Sequence, residues 1–331
     1  MRSTSWAGVV LALALAGCGS AANAPAAGSA APASPASASQ SVQASVKPVA
    51  SGSAAASRTT VAVNYAQVSA TFLQPLYALE SGIFAQNGLD VTLQLAQSAP
   101  GMAALLSGQT QLGLLGGNEV VNADAQGGDV VVVASLVPSY PYVLEVQSSI
   151  NSSADLKGKK IGITQFGSTI DVATRVALKQ LGLSASDVSL LQLTSVSART
   201  DALLNGAIQG GLSNPPDSLV LEAHGFHVLV DLAQSKAPAS SVLLAGKRTW
   251  INGHHDAVQK FVDSIIEATA QQKTDRAGAI AVLKKYLKLD NPPELQATYD
   301  YYIGHVFPAL PLPATDQFDD VVNASSDPKL K

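Results

Sequence analysis

The folded part of the chain shows a regular alternation of two hydrophobic patterns. From residue 59 onwards, short runs rich in β-branched residues alternate with segments in which apolar residues recur every three or four positions. The first pattern is typical of strands and the second of amphipathic helices. In the first half of this region the predicted strands are 59–65, 89–96, 112–117 and 129–136, and the predicted helices are 72–84, 101–109 and 118–128.

The alternation starts again after about residue 145. Here the predicted strands are 155–164, 187–194, 211–216 and 226–233, and the predicted helices are 168–182, 197–206 and 217–225. The region after residue 249 is predicted to be helical, with helices at 255–272, 274–288 and 294–310. Apolar strands that alternate with helices predict parallel sheets covered by helices on both faces. We therefore predict an α/β protein with two lobes, in which the C-terminal helices pack their apolar stripes on a sheet.

The N-terminal segment has the composition of a secretory signal. One basic residue, Arg2, precedes an uncharged apolar run from Trp6 to Ala16, and small residues follow the run. Eleven residues are too few to cross a membrane as a helix, which needs about 20. Cys18 is the only cysteine of the sequence, so no disulfide can form within the chain. We predict that residues 1–18 are a signal peptide.

Residues 19–58 consist almost entirely of Ala, Ser, Pro and Gly, and they predict a disordered linker. Residues 1–58 hold three of the 20 basic residues and none of the 24 acidic ones, which leaves a formal net charge of −7 on the rest. This balance argues against nucleic acid as a partner. The remaining residues suffice for one large domain or two medium ones.

The residues before Cys18 resemble the lipobox of bacterial lipoproteins. The matching stretch is Leu15-Ala16-Gly17-Cys18. In lipoproteins the cysteine carries a diacylglyceryl group and becomes the mature N-terminus. The resemblance implies that Cys18 is a lipid attachment point that anchors the chain to a membrane, where several acyl chains hold more firmly than one.

Five stretches of the folded part resemble the solute-binding proteins of ABC importers for sulfonates, nitrate and thiamine precursors. They are QPLYALESGIFAQNGLDVTLQL (74–95), ALLSGQTQLGLLG (104–116), DLKGKKIGITQFGST (155–169), SARTDALLNGAIQGGLSNPP (197–216) and GFHVLVDLA (225–233). In that family a helix with a proline and an aromatic residue precedes the motif G-x-F/I-x-x-x-G-L-D-V, as in the first stretch. The second stretch has Gln111 where the family commonly has Asp.

The resemblance implies the two-lobed periplasmic binding protein-like fold of type II, in which two crossover hinge strands join the lobes. Lobe 1 is then expected over residues 59–145 and 240–331, and lobe 2 over residues 146–239. The crossings are expected near 144–147 and 237–243. Such lobes close around a ligand by a hinge motion.

Candidate ligand-binding residues follow from the strand ends, because ligands of open α/β sheets bind beyond the carboxyl ends of the strands. In lobe 1 the candidates are Asn64, Tyr65, Gln74, Tyr77, Gly117, Asn118 and Ser135. In lobe 2 they are Gly167, Ser168, Thr169, Asn214, Pro215 and Asp217. Ser168 or Thr169 could instead serve only as a helix N-cap, and both tyrosines could be ordinary core residues. For an anionic ligand, Arg199 is a further candidate.

The sequence lacks the signatures of common catalytic and metal sites. It contains no G-x-S-x-G motif and no P-loop, and Asp217 and Asp231 are not obviously paired. His254 and His255 are adjacent and do not face one another on a helix, so we interpret them as surface residues. We therefore expect no enzyme activity, no cofactor and no metal.

These features together predict a lipid-anchored, extracytoplasmic, monomeric solute-binding subunit of an ABC importer. It would capture a small organic ligand, preferably a sulfonate-type anion, and deliver it to the permease and ATPase subunits. One alternative is a ligand-sensing subunit of a membrane signalling kinase. The other is an enzyme of thiamine-pyrimidine or menaquinone biosynthesis with the same fold, which the predicted export signal disfavours.

Overall fold

The computed structural model describes residues 58–193, 195–235 and 237–324. The predicted signal peptide, Cys18 and all but the last residue of the predicted linker lie outside the described residues. The strands are β1 Thr59–Tyr65, β2 Leu89–Leu95, β3 Leu112–Leu115, β4 Val130–Ser139, β5 Val143–Val146, β6 Lys160–Ile163, β7 Ser189–Gln192, β8 Gly210–Ser213, β9 His227–Asp231 and β10 Pro238–Lys247.

The helices fill the intervals between the strands and most of the C-terminal region. They are α1 Leu73–Glu80, α2 Ile83–Gln86, α3 Ser98–Ser107, α4 Gly117–Ala125, α5 Ser153–Leu156, α6 Thr169–Gln180, α7 Val196–Leu204, α8 Asp217–Ala223, α9 Leu232–Ser235, α10 Arg248–Gly253, α11 His255–Gln272, α12 Arg276–Leu287, α13 Pro292–Tyr301 and α14 Asp319–Ala324. Pro75 is the third residue of α1, where the first turn tolerates a missing N–H.

The described strands form two five-stranded sheets, one in each lobe. The sheet of the first lobe has the order β2-β1-β3-β10-β4, and that of the second lobe has the order β7-β6-β8-β5-β9. The predicted α/β architecture with two lobes is therefore confirmed. The sheets are mixed and not purely parallel, because β10 runs antiparallel to β3 and β4, and β5 runs antiparallel to β8 and β9.

The antiparallel strands are the ones that arrive from the other lobe. β5 follows β4 of the first sheet, and β10 follows β9 of the second sheet and the short helix α9. Each crossing segment enters its new sheet from the edge where the parallel strands end, so it must run against them. Both connections therefore join the two sheets at the carboxyl ends of their parallel strands.

The structure corrects the expected lobe boundaries. The chain leaves the first sheet at Ser139 and enters the second at Val143, so the first crossing precedes the expected 144–147. Tyr140 and Tyr142 in this crossing are buried in the core of the second lobe. The C-terminal region does not belong wholly to the first lobe either, since Val321 of α14 packs in the same core of the second lobe.

Both lobes have apolar cores that follow from the strand and helix patterns. In the first lobe, α11 buries Val258, Phe261 and Ile265 on one stripe. Phe261 stacks on Phe84 with ring centroids 4.8 Å apart. Full burial of one such side chain contributes roughly 1.5–3 kcal/mol. The core of the second lobe lies around its sheet and α6, and Leu212 of β8 is fully buried there.

One carboxylic acid lies in the interior of the second lobe. Glu145 is on β5, between β8 and β9, and is fully buried. The Ser213 hydroxyl donates a hydrogen bond to one of its oxygens, and the other has no partner among the described residues. Burial raises the pKa of Glu145 to about 8, although the Ser213 bond opposes the rise.

We predict that Glu145 makes the stability of the protein fall as the pH rises from about 4.5 to about 8. In this window the folded state keeps the proton that the unfolded chain releases, so unfolding becomes more favourable with pH. Glu145→Gln should remove this component, and its stability advantage over the wild type should grow across the window. Urea unfolding at several pH values measures this difference, with the exposed Asp263→Asn as the control. A constant difference between Glu145→Gln and wild type would contradict the prediction.

Candidate ligand-binding cleft

A cleft of about 470 Å³ lies between the carboxyl ends of the two sheets. Residues after β1, β2 and β3 line it from the first lobe, and residues after β6, β7 and β8 line it from the second. Tyr142 of the first crossing and Ser241 of β10 lie at its hinge side. This is the position where open α/β sheets bind ligands.

Several helices begin at the cleft, and α4, α6 and α7 are among those that direct their N-termini towards it. The lining includes Gly116 before α4, Ser168 and Thr169 at the start of α6, and Ser195 and Val196 at the start of α7. The first N–H groups of a helix have no intrahelical acceptor, and the helix dipole places partial positive charge there. The side chains of Ser168 and Ser195 each cap one of these groups, accepting from Asp171 N and Ala198 N.

The two lobes touch each other beside the cleft through Asn118 of α4. Its side-chain N–H donates to the Gly167 carbonyl, and its oxygen accepts from the Thr169 hydroxyl at 3.2 Å. Gly116 makes the close approach possible, since a Cβ there would collide with the Thr169 hydroxyl. A Cβ on Gly117 would likewise collide with the side chain of Ser240. In this structure the two lobes are therefore closed on each other.

The charged side chains that line the cleft are mostly acidic. Glu119 lines it from the first lobe, Asp217 from the second, and Glu294 from the C-terminal helices, while Lys288 is exposed at its edge. Asp217 accepts a hydrogen bond from the Thr200 hydroxyl at 2.8 Å. Burial raises the pKa of Asp217, and the Thr200 bond and the nearby Arg199 oppose that rise.

Six of the thirteen predicted site residues lie in or beside the cleft. Ser168, Thr169 and Asp217 line it, and Gly117, Asn118 and Gly167 form or adjoin the contact between the lobes. The other seven do not line the cleft and are Asn64, Tyr65, Gln74, Tyr77, Ser135, Asn214 and Pro215.

Asn64 and Tyr65 end β1 but take part in the packing of the first lobe. The Asn64 amide donates to the Gly101 carbonyl at 3.1 Å and to the Thr110 hydroxyl at 2.7 Å, so it braces β1 against α3. The Tyr65 ring packs on Phe72 with centroids 5.6 Å apart. We expected both side chains to face a ligand. In the structure they are buried in the first lobe and do not line the cleft.

Gln74 and Tyr77 lie on the face of α1 that meets the C-terminal helices. The Gln74 amide donates to the Thr269 hydroxyl, and the Tyr77 hydroxyl donates to Asp275, each at 2.7 Å. Burial raises the pKa of Tyr77 to about 12, with the Asp275 bond as the second cause. These residues join α1 to α11 and α12 and turn away from the cleft.

Ser135 lies in the middle of β4, and Asn214 and the half-buried Pro215 directly follow β8. Ser135 is fully buried, and its backbone N–H donates to the Pro311 carbonyl at 2.8 Å. Asn214 is buried and its carbonyl accepts from Ser218 N at 3.2 Å. The next residues along the chain, Pro216 and Asp217, reach the cleft instead.

Several residues that line the cleft were missed by the sequence reasoning. They are Ala66, Gln67, Val68, Thr71, Phe72, Gln97, Glu119, Tyr142, Thr164, Gln165 and Ser195–Ser197. For most of them a signal existed, since they lie one to four residues beyond a predicted strand end. The lining from Leu287 to Leu289 had no such signal, because it comes from the connection between α12 and α13.

The described residues show neither a metal-binding cluster nor a helix that could span a membrane. Within the part of the chain that the structure describes, no group of three or more His, Cys, Asp or Glu side chains is arranged to hold a metal ion. None of the helices within residues 58–193, 195–235 and 237–324 has both the length and the apolar composition to cross a bilayer.

The architecture and cleft agree with a known protein family. A family model described as NMT1/THI5 like matches residues 69–275, which is more than half of the chain. The chain belongs to the NMT1/THI5-like family. In this NMT1/THI5-like protein the match runs from α1 to α11 and includes every described strand except β1.

Individual proteins are similar to this NMT1/THI5-like protein in sequence or in structure. A protein of Brucella abortus (strain 2308) that is named a binding protein is 27% identical over 224 residues, which cover 64% of this chain and 67% of the relative. A solved structure from Bordetella bronchiseptica RB50 is 20% identical, with a TM-score of 0.71 over 81% of this chain and 89% of that one.

A third similar structure is the alkanesulfonate-binding protein SsuA from Xanthomonas axonopodis pv. citri, bound to MOPS. It is 22% identical, with a TM-score of 0.66, and the alignment covers 82% of this chain and 91% of that one. At these identities the structural similarity establishes the fold, which is the two-lobed periplasmic binding protein-like fold.

We predict that Asn118→Ala shifts the ligand-free protein towards more open conformations. The substitution removes both hydrogen bonds that α4 makes with the Gly167–Thr169 segment of the other lobe. Small-angle X-ray scattering should show a larger radius of gyration than for the wild type. Asn122→Ala, one turn further along the same helix and exposed, is the matched control and should leave the curve unchanged. Identical curves for Asn118→Ala and wild type would contradict the prediction.

Proposed function

We propose that this protein is the extracytoplasmic solute-binding subunit of an ABC importer and captures a small organic ligand in the cleft between its lobes. The observation that carries the proposal is the cleft itself, of about 470 Å³ and lined by both lobes at the carboxyl ends of their strands. Cavities of this size suit small molecules. Lobe closure around the ligand creates the shape that the permease subunits recognise, and the ATPase subunits drive release and import.

We infer that the ligand is an organic anion of the sulfonate type. The N-termini of α4, α6 and α7 converge on the cleft, and helix N-termini bind anionic groups through free N–H groups and the helix dipole. The apolar side chains Phe72 and Leu95 line the same cleft and offer a surface to the organic part. The similar Xanthomonas structure, named an alkanesulfonate-binding protein, adds support for this class of ligand.

The sequence before the folded part supports a lipid anchor at Cys18. The lipobox-like stretch ends at this cysteine, and the Ala/Ser/Pro-rich segment 19–58 can act as a tether. A tether of this kind raises the effective concentration of the binding protein at its membrane partner.

We predict that Cys18→Ser abolishes membrane association in a bacterial host that processes lipoproteins. Without the thiol no diacylglyceryl group can be attached, so the full chain should move from the membrane fraction to the soluble one. Fractionation with immunoblotting, together with incorporation of labelled palmitate, measures the change. Ser20→Ala, two residues further on, is the control and should remain labelled and membrane-bound. Unlabelled wild-type protein would contradict the lipid anchor.

We predict that a sulfonate raises the melting temperature of the protein and that the double variant Ser168→Ala/Thr169→Ala lowers its affinity. A bound ligand stabilises the folded state in proportion to the logarithm of its concentration over Kd. A thermal-shift panel of sulfonates, nitrate, pyrimidines and flavins identifies the ligand, and calorimetry measures the affinities.

The control for this double variant is Ser152→Ala. Ser152 also caps the N-terminus of a helix, α5, but it does not line the cleft. It should therefore leave the affinity unchanged. If no solute of the panel changes the melting temperature, the proposed binding function is wrong. If a ligand binds the double variant as well as it binds the wild type, the start of α6 is not part of the site.

A further inference from the structure

Arg199 is a buried cation directly behind the wall of the cleft in the second lobe. It lies in the first turns of α7, whose starting residues Ser195, Val196 and Ser197 line the cleft. The residue is only 3% exposed. Its Nε donates to the Leu212 carbonyl at 2.8 Å, while its Nη1 has no hydrogen-bond partner among the described residues.

Two glycines of the sheet make room for this side chain. Gly162 of β6 and Gly211 of β8 are paired in register on neighbouring strands. A Cβ on Gly162 would lie 3.0 Å from Arg199 Cγ, and a Cβ on Gly211 would lie 3.1 Å from Arg199 Cδ. Both distances are tighter than ordinary contacts. The aliphatic part of the Arg199 side chain therefore packs on these two glycines, where the sheet has no side chains on that face, near the carboxyl end of β8.

The two side chains that act electrostatically on Arg199 line the cleft. Thr200, the next residue, donates to Asp217, and Asp217 and Tyr142 both line the cleft. Burial lowers the pKa of the Arg199 guanidinium, and the nearby Asp217 carboxylate opposes this effect. No oxygen of Asp217 lies within 4.0 Å of a guanidinium nitrogen among the described ion pairs, so the two charges do not form a direct salt bridge.

Such an arrangement is costly for a purely structural arginine. A buried N–H group without a partner destabilises the folded state, and a buried charge does so more strongly unless an opposite charge compensates it. Binding the Leu212 carbonyl uses one of the five donors of the guanidinium. An acidic group of a ligand at the start of α7 would add the compensating charge that Asp217 supplies only in part.

We propose that Arg199 is the charge-selecting residue of the cleft, which gives the second lobe its preference for the anionic group of the ligand, and that Gly162 and Gly211 hold it in position. This inference rests on the proposed function and names the residue that decides the ligand charge. Asp217 has the opposite effect, because its carboxylate on the same wall repels an anion. The two residues should therefore shift anion affinity in opposite directions.

The test compares a charged ligand with its neutral isostere, ethanesulfonate with ethanesulfonamide, by calorimetry on the full chain. Arg199→Met should weaken ethanesulfonate binding by about tenfold or more, as expected for a lost interaction with a charged group, and change ethanesulfonamide binding little. Arg199→Lys should restore part of the preference. Asp217→Asn should tighten ethanesulfonate binding and leave that of ethanesulfonamide nearly unchanged.

A second variant keeps the test decisive if Arg199→Met does not fold. Gly211→Ala displaces the arginine stem without removing the charge, and it should reduce the ratio of the two affinities. Gly253→Ala, at the end of α10, where an added Cβ meets open space and the backbone is not left-handed, controls for the loss of a glycine. A merely structural Arg199 would change both affinities by the same factor, and that result would overturn the proposal.

Two further outcomes separate this proposal from the proposed function. If Arg199→Met strengthens and Asp217→Asn weakens binding of a charged ligand, the ligand is a cation and the proposal is wrong. If the wild type binds neither sulfonyl compound but another solute raises its melting temperature, Arg199 does not select anions, while the solute-binding function stands. If no solute binds at all, both fail.

Discussion

The antiparallel strand in each sheet is the constraint on which the cleft depends. β5 and β10 enter their sheets directly from the other lobe, and both run against the parallel strands that they meet. A chain that crosses twice in this way must join the sheets at the carboxyl ends of those strands. The two sheet edges that bind ligands in α/β proteins therefore face each other. Hinge motion at the crossings can then open or close the space between them.

The position of the sheets also decides where the helices begin. The helices that follow β3, β6 and β7 start at the edge of the cleft, so the N-termini of α4, α6 and α7 are presented to the same space. The contact between Asn118 and the Gly167–Thr169 segment uses two of these helix starts. Closure of the lobes and recognition of a ligand thus involve the same short segments of backbone.

The second lobe treats two of its buried ionisable side chains, Glu145 and Arg199, differently. No cation among the described residues compensates Glu145, and burial raises its pKa to about 8, so the interior favours its neutral form. Arg199 remains a cation because Asp217 lies nearby and because a guanidinium holds its proton strongly. The neutral acid lies within the sheet, whereas the charged arginine lies directly behind the cleft wall.

The sequence by itself determined the elements, because hydrophobic periodicity is a local property. β1 and α11 have the bounds that the pattern predicts, 59–65 and 255–272. Only the tertiary structure decided which polar residues face the cleft. Gln74 turns to a partner 195 residues further along the chain, so no local pattern could show its direction. The rule of strand ends places Thr169 at the cleft but cannot tell an exposed side chain from one that packs inside its lobe.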